Sequence, residues 1–142
     1  MKGGRLPGWS TQANEIVNRV FAYGTFRAGE SARAMIAGHI GRTMPATMPG
    51  VIYAFPDGYP GMIESEEGTV IGEVLELDEL AAAFALLDAY EGEDYEREMR
   101  EVTLADGSRV WAWCYLLKDA ASIRRAERID SGDWVAYRRS HD

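Results

Sequence analysis

The sequence predicts an α+β domain, in which two helices accompany six or seven strands of a mixed sheet that is closed or strongly curled. Three observations predict this class. Residues 69–77 alternate in hydropathy as a strand does, the segment that follows repeats apolar residues at helical spacing, and an Asp-Gly pair separates two more strand-like runs. The elements do not follow the repeated strand–helix–strand order of a parallel α/β sheet.

The first strand is predicted over residues 20–23, which are apolar and partly aromatic, and Gly24 ends it. A short helix over residues 31–37 follows. Ser31 is expected to cap its N-terminus, because a serine hydroxyl accepts hydrogen bonds from the free N–H groups there. Gly38 is expected to end it.

Residues 42–61 are rich in proline and glycine, so mostly turns are predicted, with short strands such as residues 51–55. The alternation over residues 69–77 then predicts a regular strand. Asp78 is expected to cap a second helix that runs to about residue 90. The apolar stripe of this helix consists of Leu80, Phe84 and Leu87.

Gly92 is expected to terminate the second helix. Residues 97–104 and 109–117 form a predicted hairpin, since the Asp-Gly pair between them is typical of a tight β-turn. The tail from Lys118 onward has a mixed pattern and predicts no single regular element.

Composition limits the functional classes. The chain has 142 residues, 46% hydrophobic and 27% charged, which predicts one domain with a packed core. Its net charge of -8 argues against nucleic acid or an anionic membrane as a partner, because both require clustered cations. The arginine-rich residues 124–128 also contain Glu127 and are interpreted as a solvated face.

The single cysteine, Cys114, excludes an intrachain disulfide and favours a reducing, cytoplasmic setting. It lies in a strand-like apolar run, so a buried, inert thiol is expected. The two histidines, His39 and His141, have no metal-site spacing, and we expect neither a metal nor a cofactor. Residues 1–19 lack the apolar run of a signal peptide and are predicted to be a flexible extension of a domain over residues 20–142.

Glu91 is the candidate catalytic residue. It lies at the predicted end of the second helix, where the helix dipole disfavours a negative charge and raises the pKa of a carboxyl group. A carboxylate that takes up a proton near neutral pH suits a general acid/base. A solvated acid at a helix end is the alternative, and it is common enough that the physics alone leaves it open.

The loop after the first strand is the candidate anion-binding element. The backbone N–H groups of Gly24, Thr25 and Phe26, next to Tyr23, are placed to bind a substrate carboxylate. Gly24 has no side chain, so a ligand can approach the backbone. Arg27 either adds a positive charge or lies on the surface.

Three tyrosines are further candidates for a substrate pocket, with core packing as the alternative for each. Asp88 precedes Glu91 by three residues and shares its helix face, as a second site carboxylate or as a surface residue. The three tyrosines are Tyr59, Tyr95 and Tyr115.

Two motifs and three shorter tracts occur in order along residues 20–134. Residues 23–25 read Tyr-Gly-Thr, and residues 87–92 read Leu-Asp-Ala-Tyr-Glu-Gly, followed by Tyr-Glu-Arg at 95–97. This set resembles the γ-glutamylcyclotransferase-like family, in its short bacterial branch, with Phe26 where leucine is usual. The supporting tracts are 59–61, 72–74 and 131–134.

The resemblance implies a small mixed β-barrel with flanking helices and a pocket at the Tyr-Gly-Thr loop. It implies that a γ-glutamyl amine or dipeptide is cyclised to 5-oxoproline with release of the amine, with Glu91 as acid/base and residues 23–26 holding the glutamyl group. Two alternatives remain open: a catalytically silent binding domain of the same fold, and a hydrolase in which Glu91 activates water. The leaving amine and the oligomeric state are not predicted.

Overall fold

Eight strands and three α-helices follow one another along residues 17–141, the part of the chain that the computed structural model describes. Residues 1–16, most of the predicted N-terminal extension, and residue 142 lie outside the described residues. The elements are β1 (Arg19–Ala22), α1 (Arg33–Ile36), β2 (Ile40–Pro49), β3 (Val51–Ala54), β4 (Pro60–Ile63), β5 (Thr69–Leu77), α2 (Leu80–Glu91), β6 (Tyr95–Leu104), β7 (Arg109–Leu117), β8 (Glu127–Ile129) and α3 (Trp134–Ser140). Short 3-10 turns cover Ala37–His39, Gly92–Asp94 and Ala120–Arg125.

Five of the strands close into a barrel in the order β1-β5-β2-β6-β7. The remaining three form a separate sheet in the order β4-β3-β8. The barrel is mixed: β1 runs parallel to β7, whereas all the other neighbouring strands of the barrel pair antiparallel. The predicted class, an α+β fold with a small mixed barrel and flanking helices, is confirmed.

The most regular sequence patterns correspond to the observed elements. The strand β5 has the predicted bounds, and β6 and β7 form the predicted hairpin. Gly107 has φ +89°, the left-handed conformation that the Asp-Gly turn requires. Gly92, with φ +74°, ends α2 as predicted. These features are set by contacts close in sequence, which is why the pattern alone predicts them.

The proline-rich region contains a long strand that the sequence analysis missed. Residues 42–61 were predicted to be mostly turns, but β2 covers ten residues of the chain, Ile40–Pro49. It pairs with β5 along its length and with β6 only at Ala46 and Thr47. Proline donates no backbone hydrogen bond, so a strand that is unpaired along much of one edge tolerates Pro45 and Pro49.

The predicted start and stop of the first helix are wrong. Ala32, not Ser31, is the N-cap, and no side chain caps α1. The N–H of Ala32 instead donates to the carbonyl of Thr25 (3.0 Å), so packing on the preceding loop decides where the helix starts. The α-helix ends at Ile36 with Ala37 as its C-cap, and Gly38 lies within the 3-10 turn that follows.

The predicted cap of the second helix is also wrong. The N–H of Asp78 donates to the carbonyl of His39 (2.7 Å), which holds Asp78 outside the helix. Glu79 takes the N-cap position with a left-handed φ of +51° and no capping hydrogen bond. A contact between residues distant in sequence therefore displaces the start of α2 by one residue.

Strand β1 is buried on both faces, and this places the end of α2 beside the loop that follows β1. Phe21 and Tyr23 pack in one apolar cluster, with residues of the second sheet and α3. Val20 and Ala22 pack in the other, with the helix stripe of α2. In that stripe Phe84 and Leu87 are buried and Leu80 is partly buried.

The barrel closes at one parallel contact, between Val20 of β1 and Trp113 of β7. We call this contact region the β1–β7 seam. Hydrogen bonds from side chains to backbone carbonyls supplement the single paired position. They join Arg19 Nε to Trp111 (2.9 Å), Trp113 Nε1 to Val17 (3.1 Å) and the Tyr23 hydroxyl to Tyr115 (2.7 Å).

The C-terminal segment is bound to both the barrel and the loop after β1. The carbonyl of Gly132 accepts a hydrogen bond from the Ile71 N–H (2.8 Å). Asp133 caps α3 by accepting from the N–H of Ala136 and forms an ion pair with Arg27 (2.7 Å). Arg27 thus fastens the candidate anion-binding loop to α3 rather than adding a charge to the pocket.

The remaining sequence expectations concern Cys114 and membrane spans. Cys114 is fully buried, and burial raises the pKa of its thiol, so the thiol stays protonated at physiological pH. Between residues 17 and 141, no helix has the length and apolar character needed to cross a membrane.

Candidate active site

A cavity of about 300 Å³ lies where the loop after β1 meets the C-terminal end of α2. It brings together residues that are far apart in sequence, because β1 and α2 pack in the same apolar cluster. The predicted catalytic residue and the predicted substrate-binding residues line this cavity, whereas Asp88 and Arg27 do not: the lining includes Tyr23, Gly24, Thr25, Phe26, Tyr59, Glu91, Tyr95 and Tyr115. Their individual roles remain predictions.

Glu91 is the last residue of α2 and is partly buried. Within residues 17–141 its carboxylate has no hydrogen-bond or ion-pair partner. Burial, with a further contribution from the negative charge of Asp88, raises the pKa of Glu91 to about 7. This carboxyl group is therefore poised to gain or lose a proton near neutral pH.

Asp88 lies outside the cavity lining and is held by two partners. Its oxygens accept from Arg97 Nε (3.0 Å) and Nη2 (3.1 Å), and from the hydroxyl of Tyr115. Burial raises the pKa of Asp88, but the hydrogen bonds from Arg97 and Tyr115 outweigh it and hold the pKa below its usual value. The guanidinium of Arg97 in turn lies 3.9 Å over the Phe84 ring. Asp88 is thus a fixed negative charge one helical turn before Glu91.

Three tyrosines of the cavity already use their hydroxyl protons. The Tyr95 hydroxyl donates to the carbonyl of Pro60 (2.6 Å). The Tyr23 hydroxyl donates to the backbone carbonyl of Tyr115, and the Tyr115 hydroxyl donates to the carboxylate of Asp88. Burial raises the pKa of all three hydroxyl groups, so they remain protonated. They therefore present ring surface and oxygen lone pairs to a ligand rather than donors.

The backbone N–H groups of Gly24, Thr25 and Phe26 have no acceptor within the described residues. The next two N–H groups along the chain are satisfied: Arg27 donates to Gly24 and Ala28 donates to a carboxylate oxygen of Glu73 (3.1 Å). The loop therefore offers a run of three N–H donors beside the cavity, an arrangement that suits an anion.

Packing against Pro60 gives a second reason for glycine at position 24, besides the approach of a ligand. A Cβ atom there would lie 2.5 Å from Cγ of Pro60, so any side chain would displace β4. Pro60 also accepts the hydrogen bond from Tyr95. Gly24 consequently lets the loop after β1 and the start of β4 meet at the cavity wall.

Two lining residues that the sequence analysis did not place in the site are Tyr90 and Asp94. Tyr90 packs edge-on against Phe26, with ring centroids 4.9 Å apart, although the phenol is 44% exposed. The sequence could have indicated Tyr90 as a site residue, because it precedes Glu91 directly and lies outside the apolar stripe of α2. Asp94 follows α2 in a turn, and no sequence pattern singled it out.

The cavity carries no positive side chain among the residues that the structure describes. Its ionisable carboxyl groups are Glu91 and Asp94. In the same part of the chain no three His, Cys, Asp or Glu side chains are grouped closely enough to hold a metal ion. Recognition of an anionic group in this cavity therefore falls to the backbone N–H groups of the loop.

Residues 20–136 match the family model described as gamma-glutamyl cyclotransferase, AIG2-like. The chain belongs to this family. The resemblance seen in the Tyr-Gly-Thr and Glu-Gly motifs is thereby confirmed, and both motifs lie within the matched residues. The matched region extends from β1 to the first turn of α3.

A relative from Vibrio cholerae, named "Putative gamma-glutamylcyclotransferase", is 33% identical over 117 residues, which is 81% of this chain and 93% of the relative. Among solved structures, YkqA from Bacillus subtilis has a TM-score of 0.69 at 25% identity. The match covers 87% of this chain but only 42% of YkqA. An AIG2-like protein from Mus musculus (TM-score 0.59, 21% identity, 82% of this chain and 88% of that one) shows the shared fold.

Proposed function

We propose that this AIG2-like chain is a cyclotransferase that converts a γ-glutamyl amine or dipeptide to 5-oxoproline and a free amine. One observation carries the proposal. The unpaired carboxyl group of Glu91, with its pKa of about 7, shares a cavity with three unused backbone N–H groups. The family match and the name of the Vibrio cholerae relative support the same activity.

The reaction needs no nucleophile from the protein. The α-amine of the glutamyl group attacks its own γ-carbonyl, so that a new C–N bond closes the five-membered ring while the bond to the leaving nitrogen breaks. In this proposal Glu91 takes the proton from the attacking amine and then returns it to the leaving nitrogen. General acid/base catalysis of this kind contributes about 10²–10⁴-fold.

The loop after β1 holds the glutamyl group in the proposed complex. Its N–H groups at Gly24, Thr25 and Phe26 bind the α-carboxylate, since no cation among residues 17–141 lines the cavity to take this role. Fixing the carboxylate also fixes the neighbouring amine near the γ-carbonyl, which favours ring closure. N–H donors of the same loop stabilise the negative charge that develops on the carbonyl oxygen.

The proposal is tested by the product. Purified protein is incubated with a panel of γ-glutamyl amines and dipeptides, and 5-oxoproline and glutamate are quantified by mass spectrometry. Formation of 5-oxoproline supports the cyclotransferase. Glutamate alone would indicate that Glu91 activates water, and ligand binding without either product would indicate a silent binding domain.

The pH profile of kcat/KM is expected to follow Glu91. The proposed reaction begins with the ionised carboxylate, so kcat/KM should rise with pH up to about 7 and level off above it. The negative charge of Asp88 contributes to the raised pKa of Glu91, so Asp88→Asn should move the midpoint to lower pH.

Glu96→Gln is the matched control for the pH profile. It removes an exposed acid that follows Glu91 closely in sequence, does not line the cavity and is not among the causes of the shift of the Glu91 pKa. Its midpoint should equal that of the unmodified protein. An Asp88→Asn profile that superimposes on the Glu96→Gln profile would contradict the electrostatic role of Asp88.

A further inference from the structure

A second, smaller cavity of about 140 Å³ adjoins the active cavity. We call it the outer cavity. Tyr59 and Asp94 line both cavities, so the two are continuous along one wall. The rest of the outer cavity comes from Phe55, which follows β3, from Glu93 in the turn after α2, from the end of β7 and the two residues after it, and from the 3-10 turn Ala120–Arg125. A substrate that fills the active cavity with its glutamyl group can therefore extend its leaving group past Tyr59.

Arg125 is held at the outer cavity by a stack of aromatic rings. Its guanidinium carbon lies 5.4 Å from the centre of the Phe55 ring. Phe55 stacks on Tyr59 with centroids 5.1 Å apart and planes inclined by 13°. The sequence analysis interpreted residues 124–128 as a solvated face, and Arg125 is indeed exposed. Its stacking nevertheless aligns this cation with the wall that leads to the active cavity.

The cations of the outer cavity have unused donors. Within the described residues Arg125 and Lys118 make no ion pair, although carboxylates line the same cavity. One of these, Asp119, already accepts from the N–H of Ala121 (2.9 Å). A stacked guanidinium presents a planar pair of N–H donors, which matches the two oxygens of a carboxylate.

The two cavities differ in charge. Among the described residues, the active cavity is lined by acids and no cation. The outer cavity has two cations, Arg125 and Lys118, beside three acids, Glu93, Asp94 and Asp119. Glu93 and Asp94 are the acids there that an amine-bearing leaving group would contact, but neither is held by a partner side chain. The one ionic group that is oriented by packing is the guanidinium of Arg125.

We propose that the outer cavity is the leaving-group subsite and that it binds a carboxylate through Arg125, with Lys118 adding positive charge. The preferred substrates are then γ-glutamyl amino acids or peptides with a free carboxylate on the leaving group. This inference rests on the proposed cyclotransferase activity and narrows its substrate class.

The test uses two substrates that differ in one charge, γ-glutamyl-alanine and γ-glutamyl-alaninamide. We expect the unmodified protein to favour the free carboxylate by about tenfold in kcat/KM, the effect of one charge-assisted hydrogen-bonded pair. Arg125→Gln should lose this preference, because its kcat/KM should fall for γ-glutamyl-alanine and stay unchanged for γ-glutamyl-alaninamide. Arg124→Gln, a change to the adjacent exposed arginine that does not line the cavity, should retain it.

Equal kcat/KM values for both substrates, with no change in Arg125→Gln, would overturn the proposed subsite. If 5-oxoproline still formed in that case, the proposed cyclotransferase activity would be retained. Faster turnover of a γ-glutamyl diamine than of γ-glutamyl-alanine would overturn it as well. Calorimetric binding of γ-glutamyl-alanine to Glu91→Gln, with and without Arg125→Gln, separates the two proposals. Weaker binding without Arg125 supports the subsite even where no product forms, and unchanged or absent binding overturns it.

Discussion

Replacement of Glu91 by glutamine is expected to abolish formation of 5-oxoproline, a loss of at least about 10²–10⁴-fold in kcat. Glutamine preserves the size and polarity of the side chain and leaves the end of α2 unchanged, but it cannot accept the proton of the attacking amine. The measurement is the initial rate of 5-oxoproline formation at pH 8 with the best substrate of the panel.

The same variant is expected to be at least as stable as the unmodified protein in alkaline solution. The pKa of Glu91 is raised from 4.5 to about 7 by folding, so the protonated form favours the native state. The native state therefore loses stability as the pH rises from about 4.5 through 7, when the buried carboxyl group must ionise. Glutamine has no charge to bury, so the melting temperature of Glu91→Gln at pH 8 should equal or exceed that of the unmodified protein.

The combination of the two results is what identifies a catalytic role. Loss of activity together with a retained or raised melting temperature separates chemistry from folding. Glu96→Gln, which removes an exposed acid that lines neither described cavity, is again the control and should keep full activity. A cooperatively folded Glu91→Gln protein that still produces 5-oxoproline would exclude Glu91 as the acid/base.

Replacement of Gly132 by alanine is expected to destabilise the fold by roughly 3 kcal/mol. The residue has φ +71°, which costs an L-amino acid about 1–2 kcal/mol. A Cβ atom would also lie 1.9 Å from the carbonyl oxygen of Thr69, and relief of such overpacking costs typically about 1–3 kcal/mol. Relief of the clash would move the segment before α3 away from β5 and weaken the hydrogen bond from Ile71.

Gly107→Ala separates the two contributions. Gly107 has φ +89° but no atom within 4 Å of its added Cβ, so only the backbone strain applies and a loss of about 1–2 kcal/mol is expected. The free energies of unfolding are to be compared by urea denaturation. Equal losses in the two variants would show that the contact with Thr69 is relaxed at no cost.

The parts of the fold that the sequence predicted are those specified by neighbouring residues. The alternation in β5, the Asp-Gly turn and Gly92 act over a few positions, and their pattern is sufficient. The start of α1 was misplaced because a hydrogen bond to the carbonyl of Thr25 in the preceding loop decides it. The start of α2 was misplaced because a hydrogen bond to His39, which is distant in sequence, decides it. The strand β2 was missed because its prolines are acceptable only along an edge that the finished barrel leaves unpaired.

The candidate site was predictable to a similar extent. The residues themselves identified Glu91 and the loop after β1 as suitable for proton transfer and anion binding, and the family resemblance joined them in one reaction. The cavity brings together Glu91 and the predicted substrate-binding residues but not Asp88 or Arg27. The places of Asp94 and Arg125 follow from the packing of the turn after α2 and of the Ala120–Arg125 turn. No local pattern reports such packing.

The closure of the barrel at the β1–β7 seam has a consequence for its dynamics. With one parallel backbone contact there, local opening needs fewer ladder hydrogen bonds to break than between β5 and β2. Amide hydrogen exchange should therefore be faster in β1 than in β5, and Tyr23→Phe, which removes one side-chain hydrogen bond across the seam, should accelerate it further. A ligand bound between the loop after β1 and Glu91 would disfavour local opening of the seam. Slower amide exchange in β1 would therefore show that the cavity is occupied before any product is measured.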